Sequence, residues 1–231
     1  MSRAWLSGVS AGMVKWGFSR VVGWTVARTE RLRRYWDRQS ASYDRIMAVA
    51  ERRFFADTRP WLCGQATGDT LEVAFGTGLN LPYYPREIRL TAVEWSPAML
   101  EIGRRRAASL GREVDLREGD AQALDLPDAS FDTVVCTFAL CCIPDEGRAL
   151  AEMARVLRPG GTLLLADHVA SPVWPVRALQ GLLDAVTVPL QGEHFGRRPV
   201  RRVRAMGFTL ERHERFKLGM IERLAARRPG G

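Results

Sequence analysis

Leu71-Glu72-Val73-Ala74-Phe75-Gly76-Thr77-Gly78 decides the fold: an apolar run closed by a glycine turn. A strand that turns sharply through glycines brings backbone N–H groups close to a ligand. The next apolar run, Leu90-Thr91-Ala92-Val93, ends on Glu94. An acidic side chain at that strand tip can accept hydrogen bonds from both hydroxyls of a ribose. Ser96-Pro97 follows at once and predicts a helix start, an N-cap with proline at the first helical position. Together these elements outline a nucleotide pocket. A dinucleotide fingerprint needs a third glycine where this chain has Leu81, so NAD is disfavoured.

Further along, Glu118-Gly119-Asp120-Ala121 follows a third apolar stretch, and Ser130-Phe131-Asp132-Thr133-Val134-Val135-Cys136-Thr137 makes a fourth. The spacing of Leu150, Met153, Ala154 and Leu157 predicts a helix, closed by Arg158-Pro159-Gly160-Gly161 and followed by a fifth strand over Thr162-Leu163-Leu164-Leu165-Ala166. Strands alternating with helices in this order give an α/β fold, doubly wound and mostly parallel.

These stretches, in this order, resemble the class I S-adenosylmethionine-dependent methyltransferases, from about Tyr35 onward. Residues 71–78 look like that family's first motif, residues 93–100 like its ribose-binding strand end, and residues 118–121 like its adenine-binding turn. Ser130-Phe131-Asp132 and Arg155-Val156-Leu157-Arg158-Pro159-Gly160-Gly161 complete the set. The resemblance implies a seven-stranded, Rossmann-like sheet and S-adenosylmethionine as cofactor. It places Glu72, Ala74, Gly76, Gly78, Asn80 and Leu81 in the cofactor loop, and Glu94 on the ribose with Trp95 and Met99 nearby. Asp120 and Ala121 go to the adenine, and Thr137, Phe138 and Ala139 to the methionine end. Ala74 departs from the pattern, since the family carries glycine there. Tyr35-Trp36-Asp37-Arg38-Gln39-Ser40-Ala41-Ser42-Tyr43-Asp44 resembles the segment that closes over the cofactor in quinone methyltransferases, with Tyr43 as the contact.

The 231 residues, 46% of them apolar, suit a single domain with an appendage: an arm over 1–30 and the methyltransferase domain over 31–231. Cys63, Cys136, Cys141 and Cys142 show neither C-x-x-C spacing nor a secretory framework, so a reducing cytoplasm is expected and no metal site. The net charge of +8 is uneven. Residues 1–60 carry +7, residues 190–231 carry +7, and the stretch between them −6. Basic ends suit a solvated face, a membrane surface or nucleic acid. In the arm, Trp5, Val9, Met13 and Trp16 share a helical stripe near Lys15 and Arg20, a pattern that either lies in a lipid interface or covers a core or partner. Charges within Met13–Ala27 exclude a membrane-spanning helix.

Methyl transfer from a sulfonium needs no metal, because the electrophile carries its own activating charge; the protein must hold the acceptor close and manage its proton. His168, after the fifth strand, and His194, in Gln191-Gly192-Glu193-His194-Phe195-Gly196-Arg197, are the candidates to take that proton. A hydrogen-bonded structural role is the other reading of each. Cys141 and Cys142 read as small apolar residues beside the acceptor cavity. Residues 136–141, 167–170 and 192–197 resemble membrane-associated thiol S-methyltransferases, and Gly78-Leu79-Asn80-Leu81-Pro82 resembles bacterial phospholipid N-methyltransferases. A lipophilic small-molecule acceptor follows, a thiol ahead of a phospholipid amine or a quinone carbon, with the protein cytoplasmic or peripheral at the membrane. The alternatives are a nucleic-acid methyltransferase and a non-catalytic, cofactor-binding partner subunit. Against the first, Thr137-Phe138-Ala139-Leu140 lacks the Asp/Asn-Pro-Pro-aromatic signature.

Overall fold

The computed structural model describes the backbone of residues 11–55 and 57–230, with side chains from Thr29 onward. The arm's stripe of Trp5, Val9, Met13 and Trp16 therefore lies outside the described side chains. Helix α1 runs unbroken from Ala11 to Ala50, across the expected boundary at residue 30, and widens into a π turn over Glu51–Phe55.

Seven strands form one sheet: β1 (Asp69–Val73), β2 (Arg89–Glu94), β3 (Asp115–Glu118), β4 (Phe131–Thr137), β5 (Leu157–His168), β6 (Thr209–Phe216) and β7 (Ile221–Arg227). Their order is β3-β2-β1-β4-β5-β7-β6. The first five pair in parallel, and β7 runs antiparallel between β5 and β6. The connecting helices are α2 (Thr58–Cys63), α3 (Pro97–Ser109), α4 (Glu146–Val156), α5 (Trp174–Gln191) and α6 (Pro199–Ala205).

Successive strand residues face opposite sides, so a strand covered on both faces reads as a continuous apolar run. Val134, Cys136, Leu163 and Leu165 pack with Leu150, Met153 and Val203 of α4 and α6. Their neighbours Val135, Leu164 and Ala166 pack on the other face with Leu62 and Leu100 of α2 and α3. The doubly wound arrangement expected from the strand pattern is present.

The fourth helix ends one residue earlier than its apolar spacing predicts. Leu157 is extended (φ −73°, ψ 135°) and pairs with Phe131, so β5 begins there and bulges before Thr162. Pro159 lacks an N–H and disfavours helical backbone at Arg158, which carries the chain into the sheet early. At α3 the predicted start is present, with Ser96 Oγ accepting from the Met99 N–H at 3.2 Å.

Candidate active site

The strand order reverses between β1 and β4, where an open α/β sheet parts its loops and binds ligands. A cavity of about 710 Å³, counted to its open mouth, lies there at the carboxyl ends of β1, β2 and β4. Ala74 and Gly76 form its floor, Glu94, Trp95 and Met99 one wall, Asp120 and Ala121 the next, and Thr137, Phe138 and Ala139 the far end.

The glycine turn is bent as its chemistry requires. Gly76 and Gly78 have φ of +60° and +79°. A Cβ on Gly78 would sit 2.9 Å from the Phe75 ring, so the turn packs too closely for a side chain. Ala74 shares the left-handed conformation, at φ +58°, although it carries a methyl group. Such a residue stores backbone strain, and its place on the cavity floor puts that strain at the site.

Glu94 is 7% exposed and joins the two halves of the pocket. One carboxylate oxygen accepts the Gly76 N–H at 2.7 Å, the other the Ser96 N–H at 2.8 Å. Each oxygen keeps a lone pair for a ribose hydroxyl. Burial raises its pKa, while the N–H groups of Ser96, Gly76 and Trp95 pull the other way. Asp120 lines the cavity and also holds its own turn, accepting from the Gln122 N–H at 2.8 Å. Asp120 therefore forms its turn and faces the cavity at once.

Glu72, Gly78, Asn80 and Leu81, expected in the cofactor loop, stand off the cavity wall. Glu72 lies beneath it, accepting from Asn80 Nδ2 at 2.8 Å and Tyr84 Oη at 2.9 Å. Asn80 also donates to Thr137 Oγ1 at 2.9 Å, and the Arg59 guanidinium donates to Asn80 Oδ1 at 2.7 Å. This buried network holds the glycine turn against the end of β4. Burial pushes the Glu72 pKa up to about 7, against the lowering effects of Tyr84, Asn80 and Arg59.

The segment expected to close over the cofactor is part of α1, which supplies Trp36 and Tyr43 to the cavity. Two carboxylates pin it there. Asp37 accepts from Ser96 Oγ and from the Ala98 N–H at the start of α3. Asp44 accepts from Thr77 Oγ1 at 2.6 Å and pairs with Arg106.

Phe138 closes the far end with φ +52°. Its ring stacks on Phe55, centroids 3.9 Å apart and planes 16° from parallel. Met47, Tyr43, Leu79, Phe216 and Ile221 surround the pair. An apolar cluster from α1, the π turn and β7 thus abuts the far end of the cavity.

His168 and His194 both lie off the wall of this cavity. His168 Nε2 bonds Glu193 at 3.0 Å, and its ring stacks on Phe195 at 4.6 Å. Burial alone lowers its pKa, but the Glu193 hydrogen bond and the Asp167 and Glu193 charges together outweigh it, so the net shift is upward. His194 faces a second hollow with Leu32, Gln122 and Arg148, and its N–H binds the Cys141 carbonyl at 2.9 Å. Cys142 reaches the main cavity and Cys141 does not. The fold also brings Cys141, His168 and Glu193 within 4.8 Å of one another, a grouping that cysteine and histidine spacing did not reveal.

Sequence reasoning missed Arg59, Asp37 and Asp44. Each acts across at least 21 residues of chain, through contacts that no local pattern encodes.

Comparison with known proteins agrees with the geometry. The family described as Methyltransferase domain matches residues 71–165. A phosphatidylethanolamine N-methyltransferase of Cereibacter sphaeroides is 40% identical over 118 residues, 50% of this chain and 58% of that protein. A human thiol S-methyltransferase is 33% identical over 134 residues, 56% of this chain and 54% of that protein. The chain thus spans little more than half the length of these curated relatives. Among solved structures, an S-adenosylmethionine-dependent methyltransferase of Thermotoga maritima has a TM-score of 0.65 at 24% identity, over 85% of this chain and 99% of that one, which shows a shared fold. The glycine turn, the Glu94 strand tip and the match over residues 71–165 together make this chain a carrier of a class I, S-adenosylmethionine-dependent methyltransferase domain.

Proposed function

We propose that this chain moves the methyl group of S-adenosylmethionine to the sulfur of a lipophilic small-molecule thiol. The observation that carries the reading is Phe138, shared between the cofactor cavity and the apolar cluster around Phe55. An acceptor entering from that side meets the methionine end through hydrocarbon and aromatic surface, which favours an apolar body.

The chemistry follows from the wall. When bound, S-adenosylmethionine supplies an activated methyl group on a cationic sulfur. Ala74 and Gly76 would bring backbone to it, Glu94 would hold its ribose, and Asp120 its adenine amino group. Trp36 and Tyr43 exclude water from above. The acceptor sulfur would take that methyl group, and the electron pair of the broken carbon–sulfur bond would stay on the cofactor's sulfur. No histidine, lysine or arginine lies on the wall among the described residues. A thiol suits such a wall because it ionises near neutrality and can release its proton to solvent, whereas an ammonium or a phenol asks more of a base. His168 then holds the 191–198 loop against the end of β5, and the His194 backbone N–H ties that loop to Cys141 beyond β4.

The Cereibacter relative is named for an amine acceptor, so the test compares acceptors with one apolar tail ending in a thiol, an amine or a quinol. Titration calorimetry with S-adenosylmethionine comes first, then turnover of each. Methylation of the thiol well ahead of the others is expected. Turnover of the amine or quinol alone would move the acceptor assignment, and cofactor binding without any turnover would support a partner subunit.

A further inference from the structure

Helix α5 is folded inside out. Its only fully buried residue is Gln180, which accepts the Ser171 N–H and donates to the Val169 carbonyl. Its one acid, Asp184, turns inward to the N–H groups of Phe195 and Gly196. Trp174, Leu179, Leu182, Leu183, Val186 and Leu190 face outward, between 42% and 72% exposed. Apolar side chains at these spacings form a stripe along the helix, and stripes of that kind normally face a core. The patch continues past the helix start: Val173 is 40% exposed, and Leu218, 62% exposed, stands on the β6–β7 turn, whose backbone takes a hydrogen bond from Ser171. A contiguous exposed apolar surface of this size marks a contact with another phase or partner.

The charges around it choose the partner. Arg177 lies on α5, and Arg198 and Arg201 stand at the start of α6. Arg198 is held below the usual guanidinium range, by burial first and then by Arg201, Arg177 and Arg215, against a smaller opposing effect of Glu222. These arginines are therefore neighbours. Among the described residues no carboxylate pairs with Arg177 or Arg201. A second copy of this face would bring its own arginines against them. The arm, residues 1–30, holds Arg3, Lys15, Arg20 and Arg28 against the single acid Glu30, so it too is net basic.

We propose that α5 with the β6–β7 turn is a docking surface for an anionic lipid bilayer, lying flat with its apolar stripe among the acyl chains and Arg177, Arg198 and Arg201 at the headgroups. Among the described residues no helix is long and apolar enough to cross a membrane, so this contact is interfacial. The surface rests on α5 and its rim, not on the identity of the methyl acceptor.

The test is co-sedimentation of the full-length protein with vesicles of phosphatidylcholine alone or mixed with phosphatidylglycerol, at low and high salt. Binding to the anionic vesicles about tenfold stronger than to neutral ones, and weakened by salt, is expected. L182S/V186S/L190S should lose this binding while keeping its circular dichroism spectrum and S-adenosylmethionine affinity, because the three side chains are already in water. R177S/R201S should lose only the preference for anionic lipid. Failure of the full-length protein to sediment, or undiminished sedimentation of the triple variant, overturns the proposal. A dimer that the triple substitution dissociates, in a protein indifferent to vesicles, overturns it in favour of self-association.

Discussion

Ala74 asks a single methyl group to sit on backbone bent the wrong way for it. At φ +58° an alanine is strained by roughly 1–2 kcal/mol, and glycine is not. Ala74→Gly gives part of that back as added freedom of the unfolded chain. A net gain of about 0.5–1 kcal/mol in urea unfolding is expected, with S-adenosylmethionine affinity unchanged or tighter by calorimetry. A destabilised or weaker-binding variant would show that the methyl group is packed to advantage. Glu72 makes a second case. Burial raises its folded pKa from 4.5 to about 7, so the native state holds a proton that the unfolded state has released. The stability from that group is whole below about pH 4.5 and is lost as pH rises to about 7, by at most about 3 kcal/mol. Glu72→Gln should not show this loss. Urea midpoints of the two proteins at pH 5 and pH 7.5 check it, and parallel behaviour across that window would contradict the buried-acid assignment.

At the scale of the element, α1 works as a cover pinned by two carboxylates beside the apolar cluster around Met47 and Phe55. Asp44 reaches both the glycine turn, through Thr77, and the far end of α3, through Arg106. Removing it frees one charge-assisted clamp worth about 1.5–3 kcal/mol before solvent competes. Asp44→Ala is expected to weaken S-adenosylmethionine binding about three- to thirtyfold and to speed amide exchange over residues 35–55, leaving the protection of β4 and β5 unchanged. Exchange that rises across the sheet as well would mean that α1 belongs to the same cooperative unit as the core. Covers of this kind are low in stability by function, because they must open to admit a ligand.

For the molecule as a whole, legibility follows the range of the interaction. The glycine turn, the Ser96 cap and the apolar strands were readable because their causes lie within a few residues of chain. So were the wall positions Glu94, Asp120 and Phe138, which sit at strand ends by rule. Arg59, Asp37 and Asp44 were not readable, since each takes its meaning from a partner brought near only by folding. The surroundings of His168 were not readable for a related reason: its place at the end of β5 follows from the strand pattern, but Glu193 and Phe195 reach its ring from a loop that no pattern positions. The place of β7 carries one further consequence. It follows every other strand in the chain yet lies between β5 and β6. A ribosome releases β6 before the strand it must pair with exists, and β5 keeps a row of unpaired backbone groups until residues 221–227 emerge. Such an edge is the place where a half-made sheet sticks to its neighbours, so chaperones should find their opportunity on this nascent chain at β5.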